Sequence, residues 1–262
     1  MRLERFLLGA GLCLLASGCV TTGGSDAGHS GLPTTSRAQQ AADAARIHTE
    51  LGQHYMQIGD LQSALQKLQM ALQFDDDYAP AHTVIAVIYE KIGNLPEAEK
   101  HYRRAVALEP KKGAPNNNLG AFLCRTGKTG EALAYFQHAV ADPFYATPDV
   151  AWTNDGVCRM RMHDEAGAEA SFRHAIALNP KNGEALYQLA RALYLGNDAF
   201  HASAFLQRYE ALGQESPAAL ELGHDIELKL GDMDAARSYN MRLQSRFPDS
   251  EQAQAITTTA KP

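Results

Sequence analysis

No HExxH, GxSxG, P-loop or paired CxxC motif occurs in the 262 residues of this chain. The metal ligands, activated nucleophiles and phosphate cradles that those motifs supply are therefore missing. There is no block of lysines or arginines, and the net charge is −6, which excludes the basic footprint of a nucleic-acid binder. Nor is there an apolar run of the ~20 residues that a membrane-spanning helix needs; the N-terminal run covers only Phe6 to Leu15. Histidine is plentiful, but His138 and His174 occupy the same repeating position as Arg104, Arg208 and Arg242, which reads as a solvated basic stripe and not a metal cluster. These absences predict a protein that is not an enzyme, with no cofactor, no metal and no small-molecule substrate. What remains is 45% hydrophobic and 21% charged, an ordinary globular composition.

The first residues, "MRLERFLLGAGLCLLASGC", carry Arg2 and Arg5 before the short apolar run and end in Ala16-Ser17-Gly18-Cys19. This has the proportions of a signal peptide, and its ending resembles a bacterial lipobox. The resemblance implies removal of residues 1–18 and acylation of Cys19; an ordinary cleaved signal peptide with an incidental Cys19 is the alternative. Val20 follows the cysteine, and by resemblance to lipoprotein sorting rules this implies the periplasmic face of the outer membrane. Residues 19–44 are rich in Thr, Gly, Ser and Ala. Too poor in large apolar groups to fold alone, they are expected to form a flexible tether with a reach of roughly 25–30 Å.

From Ala45 onward the chain aligns with itself at a spacing of 34 residues. Six units fall at 45–78, 79–112, 113–148, 149–182, 183–216 and 217–250, with two extra residues in the third. A tail, 251–262, completes the chain. The eighth position is small (Gly52, Ala86, Gly120, Gly156, Ala190) and the twentieth is alanine in every unit. The twenty-fourth is large and apolar: Leu68, Tyr102, Phe136, Phe172, Leu206. Gly59, Gly93, Gly127 and Gly231 mark a turn that needs a left-handed residue. Asn197 is tolerable there and His163 fits worse. The pattern resembles the tetratricopeptide repeat, a helix–turn–helix unit, and predicts an all-α, right-handed α-solenoid of six repeats. His224 at the eighth position of the last unit, and the short tail, suggest that this unit caps itself.

In such arrays, positions 2, 5, 9, 12 and 13 face a concave groove. In the first three units this gives a partner-binding set of Arg46, Thr49, Gln53, Met56, Gln57, Thr83, Val87, Glu90, Lys91, Asn117 and Ala121. The mixture suits an extended or helical peptide; a solvated inner wall is the bland alternative. Cys124 and Cys158 lie late in the first helices of neighbouring units. A disulfide needs Cα atoms about 4.4–6.8 Å apart, which the small residues Gly120, Ala121 and Gly156 could allow. Two buried thiols, or a redox couple, are the other readings.

The segment from Asn116 to Pro180 is the most particular. It contains Asn117, Asn118, Gly120, Phe122 and Leu123; then Pro143, Tyr145 and Pro148; then Asn154, Gly156 and Cys158. It resembles the PilF/PilW family of type IV pilus biogenesis and stability lipoproteins, and the resemblance spans about residues 45–250. Asp155, where a large apolar residue is expected, departs from the pattern. What the resemblance implies is a pilotin: a lipoprotein that binds the type IV pilus secretin and promotes its outer-membrane localisation and multimer assembly. A general scaffold lipoprotein of another envelope complex has the same fold and a different client.

Overall fold

The computed structural model describes residues 36–259, so Cys19 and the signal-like segment lie outside the described residues. Every regular element among the described residues is a helix. The first six are α1 (Arg37–Gln57), α2 (Leu61–Phe74), α3 (Ala79–Lys91), α4 (Leu95–Leu108), α5 (Gly113–Arg125) and α6 (Thr129–Val140). They are followed by α7 (Pro148–Arg161), α8 (Glu165–Leu178), α9 (Gly183–Leu195), α10 (Ala199–Glu210), α11 (Pro217–Leu230), α12 (Met233–Arg246) and α13 (Glu251–Thr259). Each odd helix up to α11 packs chiefly on the even helix after it, and successive odd helices also touch. The result is a tetratricopeptide-repeat solenoid whose odd helices share one wall.

The packing chemistry is the one that the repeating positions dictate. Ala64, Ala98, Ala132, Ala168, Ala202 and Ala236 are all buried, as are Leu68, Tyr102, Phe136, Phe172 and Leu206. Paired helices approach so closely that a Cβ on Gly120 would lie 2.8 Å from the Phe136 ring, and one on Gly156 would lie 2.5 Å from Phe172. These glycines thus admit the second helix of their own repeat.

The last unit differs from its expected register. Gly223, not His224, meets the large side chain: a Cβ there would lie 2.4 Å from Tyr239. The contact is made one residue early on both helices, because Tyr239 likewise comes one position before the place that Phe136 and Phe172 hold in their repeats. His224 Nδ1 instead lies 3.0 Å from the Ala236 carbonyl oxygen. The unit does not cap itself either, because α13 packs on α11 and α12 and buries Ala253. An open array end exposes apolar surface, and one further helix covers it. At the other end, α1 begins at Arg37, inside the stretch expected to be tether. Ala- and Gln-rich sequence propagates from an already packed helix without a new nucleus.

All six intra-repeat turns place one residue in the left-handed region, including His163 at φ 59° and Asn197 at φ 67°. The next residue caps the second helix through its side chain at Asp60, Asp164, Asp198 and Asp232. Asp155 is fully buried, and its charge is met by Arg159 Nε at 2.7 Å and the Ser171 hydroxyl at 2.6 Å. A paired, hydrogen-bonded carboxylate explains how a charge sits at an apolar position.

His163 is exposed, so its cost is purely local. His163→Gly is expected to raise stability by about 0.5–1 kcal/mol in urea unfolding, the left-handed penalty less the extra entropy of glycine. A second expectation concerns pH. The Nδ1 atoms of His82 and His101 lie 2.9 Å apart, and His82 Nε2 lies 3.0 Å from the Asp76 carbonyl oxygen. A carbonyl only accepts, so His82 donates from Nε2, and of the two facing Nδ1 atoms one donates and the other accepts. Burial, then the neighbouring His82, pushes His101 from 6.5 down to about 4, with Lys100 adding to the shift and Glu97 opposing it. Its contribution to stability is complete above 6.5 and is lost as pH falls toward 4. Thermal unfolding of His101→Phe should be less sensitive to pH across that window than the parent protein.

Candidate functional site: a groove of first helices

The wall of odd helices carries open concavities, two of which involve residues read as groove-facing. One of ≈ 160 Å³ is lined by Gln53, Pro80, Thr83, Val84, Glu109, Ala114, Pro115 and Asn118. The other, of ≈ 310 Å³, is lined mainly by Ala121, Cys124, Arg125, Thr153, Asn154, Val157, Arg161 and Glu184. Of the residues read as groove-facing, Gln53 and Thr83 line the first and Ala121 lines the second. Arg46, Gln57 and Lys91 are exposed on the same helices, with Arg46 paired to Glu50 at 2.9 Å. Met56 and Val87 are half-buried and pack on the core.

Two predicted groove residues are not available to a partner. Thr49 is buried and donates to the Ala45 carbonyl at 2.8 Å. Asn117 is buried and accepts from Asn154 Nδ2 at 2.9 Å, joining α5 to α7. Position 5 faces the seam between successive odd helices, and Thr83 and Thr153 there also donate back to the carbonyl four residues earlier. Glu90 is engaged as well. It accepts from Arg125 Nε at 2.7 Å and Nη2 at 2.9 Å, and from the Tyr102 hydroxyl at 3.0 Å. That fork neutralises the only acid predicted for the groove's first three repeats.

Asn118, Asn154 and Glu109 line the concavities without having been predicted to do so. Asn118 and Asn154 share position 6, so an asparagine at that position was the available signal. Asn116 lies near the start of α5 and is fully buried. Its Nδ2 donates to the Pro110 carbonyl at 3.0 Å and the Lys112 carbonyl at 2.8 Å, tying down the preceding turn and not capping α5.

Cys124 and Cys158 form a disulfide with Cα atoms 5.7 Å apart, inside the core between α5 and α7. Arg161 donates to the Cys124 carbonyl at 3.1 Å beside it. No group of three or more His, Cys, Asp or Glu among the described residues is arranged to hold a metal.

Models of the tetratricopeptide repeat match residues 34–79, 79–112 and 117–142. The crystal structure of PilW, a widely conserved type IV pilus biogenesis factor, is 32% identical with a TM-score of 0.76, over 81% of this chain and 98% of that one. The chain belongs to the PilF/PilW family of type IV pilus biogenesis factors. The type IV pilus assembly protein PilF of Pseudomonas aeruginosa is 28% identical over 245 residues, 94% of this chain and 93% of that protein. A structure of P. aeruginosa PilF has a TM-score of 0.76 at 25% identity, over 84% and 99% of the two chains. MamA, at 18% identity and a TM-score of 0.53, shares the fold alone.

The letters that carry the family resemblance turn out to be structural. Phe122 and Leu123 are fully buried, Asn117 and Asn154 bridge two repeats, and Tyr145 packs over Gly113. The disulfide closes a loop of 34 residues, so in the chain-entropy account its removal costs about 3–4 kcal/mol. Urea unfolding of the Cys124→Ser/Cys158→Ser double variant should show that loss, and thiol labelling of the unreduced parent, unfolded, should modify neither residue.

Proposed function

We propose that this protein is an outer-membrane lipoprotein that acts as a pilotin for the type IV pilus secretin. The observation that carries the reading is end-to-end similarity to pilus biogenesis factors: the match covers 98% of the PilW chain. The lipid on Cys19 would hold the protein at the periplasmic face of the outer membrane, and residues 20–36 would serve as the tether ahead of α1. No helix among the described residues is long and apolar enough to cross a membrane, so in this reading the anchor is the lipid.

The groove supports a peptide client on physical grounds. Gln53, Gln57 and Lys91 offer hydrogen bonds from helices held rigid by their own repeats, beside Val87 and Ala121 as apolar contacts. A helical wall keeps such groups in place before the client arrives, which lowers the ordering cost of binding. A secretin subunit held there would travel outward with the lipoprotein and be released into the multimer at its destination.

In a deletion strain, gels of membrane protein should show the secretin shifted from multimer to monomer, and twitching should be lost. Restoring the chain with Cys19→Ala should leave assembled secretin misplaced or absent from the outer membrane. Unchanged multimers with normal twitching in the deletion strain would refute the pilotin reading.

A further inference from the structure

The two extra residues of the third repeat build a feature that the groove does not use. The link between α6 and α7 is held at two points. The Asp142 carboxylate accepts from the Gly113 backbone N–H at 2.8 Å and from the Phe144 N–H at 3.0 Å. The Tyr145 ring fills the space over Gly113, where a Cβ would lie 2.3 Å away. Between these two anchors Phe144 points outward with 86% of its surface exposed. A large apolar side chain presented from a pinned backbone is costly to leave in water and carries little ordering cost on binding.

Beside Phe144 lies a trough of ≈ 570 Å³, walled by Pro143, Lys111, Lys112 and His138 among others. All four are exposed, so the trough is a surface feature and not an enclosed ligand cavity, which would bury most of a small molecule. Its charge leans positive, with two lysines against one carboxylate. Neither lysine is ion-paired among the described residues. The only carboxylate in the wall, Asp142, is already occupied by two backbone N–H groups, and those bonds, together with the weaker pull of Lys112, hold it below the usual carboxylate range. On a chain of net charge −6, two lysines against one carboxylate around an exposed aromatic are a local exception.

We infer that this trough is a second protein-docking site, separate from the odd-helix groove, and that it takes a short acidic segment of a partner in which an aromatic or branched side chain stacks on Phe144 while carboxylates meet Lys111 and Lys112. The inference does not depend on which client fills the groove.

Fluorescence polarisation with the full-length protein in detergent tests it. The probe is a labelled octapeptide of Asp and Glu around a central Phe, compared with the same peptide bearing Asn and Gln. The acidic peptide should bind about tenfold more tightly, and Phe144→Ala and the Lys111→Gln/Lys112→Gln pair should each weaken it by about fivefold or more, as hot-spot contacts do. These exposed positions should leave the unfolding midpoint unchanged. Equal affinity for the two peptides, absence of binding, or binding indifferent to Phe144→Ala would overturn the site. Vesicles of phosphatidylethanolamine and phosphatidylglycerol form the control: sedimentation of the protein with them that requires Phe144, without peptide binding, would make the patch a membrane contact and also overturn it.

Discussion

The structure depends on one contact made again in every repeat: a small residue on the first helix against a large side chain on the second. Gly120 against Phe136 and Gly156 against Phe172 leave no room for a Cβ. Because the ring is seated by that contact, the turn between the helices has no freedom, and a left-handed residue followed by a capping group closes it. Each closed pair then presents its first helix at a fixed angle to the next. The wall of odd helices, and with it the groove, is the sum of those angles.

This dependence explains what was legible in the sequence. Contacts internal to a repeat recur at a fixed spacing, so the alanines, the large apolar residues and the left-handed turns could all be read by aligning the chain with itself. Even the poor fit of His163 was visible as a break in a column of glycines. The last repeat shows the limit. Gly223 and Tyr239 make the small-against-large contact one residue ahead of the repeat pattern on both helices, while Ala236 keeps its place. A pair of residues that slips together keeps its contact but leaves the columns in which a fixed period would reveal it.

Contacts between repeats were less legible, because they have no internal copy to compare. Thr49 and Asn117 occupy position 5, which the repeat pattern assigns to the groove, yet that position lies in the seam between successive first helices and both side chains are buried there. Asn117 needs Asn154 of the next repeat, a pairing that no single unit contains. The loop to α7 illustrates the same point: Asp142 and Tyr145 close on Gly113, the first residue of their own repeat, across a whole helix pair. The extra helical residues at the start of α1 and the covering helix α13 were hidden for a different reason, since each is stabilised by a neighbour it continues or covers and not by its own composition.

The junction of the third and fourth repeats draws these strands together. Two inserted residues there lengthen the link between stacked pairs, which on its own would loosen the array at its middle. The same junction holds the Cys124–Cys158 disulfide, the Asn117–Asn154 bridge and the bond from Arg161 to the Cys124 carbonyl. Helix α7 also divides its side chains between two parts of the core: Cys158 belongs with α3–α6, whereas Trp152, Val157 and Met160 pack toward α8–α12. A joint that both lengthens the link and multiplies the cross-links trades the regular spacing of the array for a loop that can carry Phe144 outward without parting the stack. The repeats on either side of it stay one continuous wall, so a client bound along the odd helices and a segment seated on the loop would meet the same rigid body.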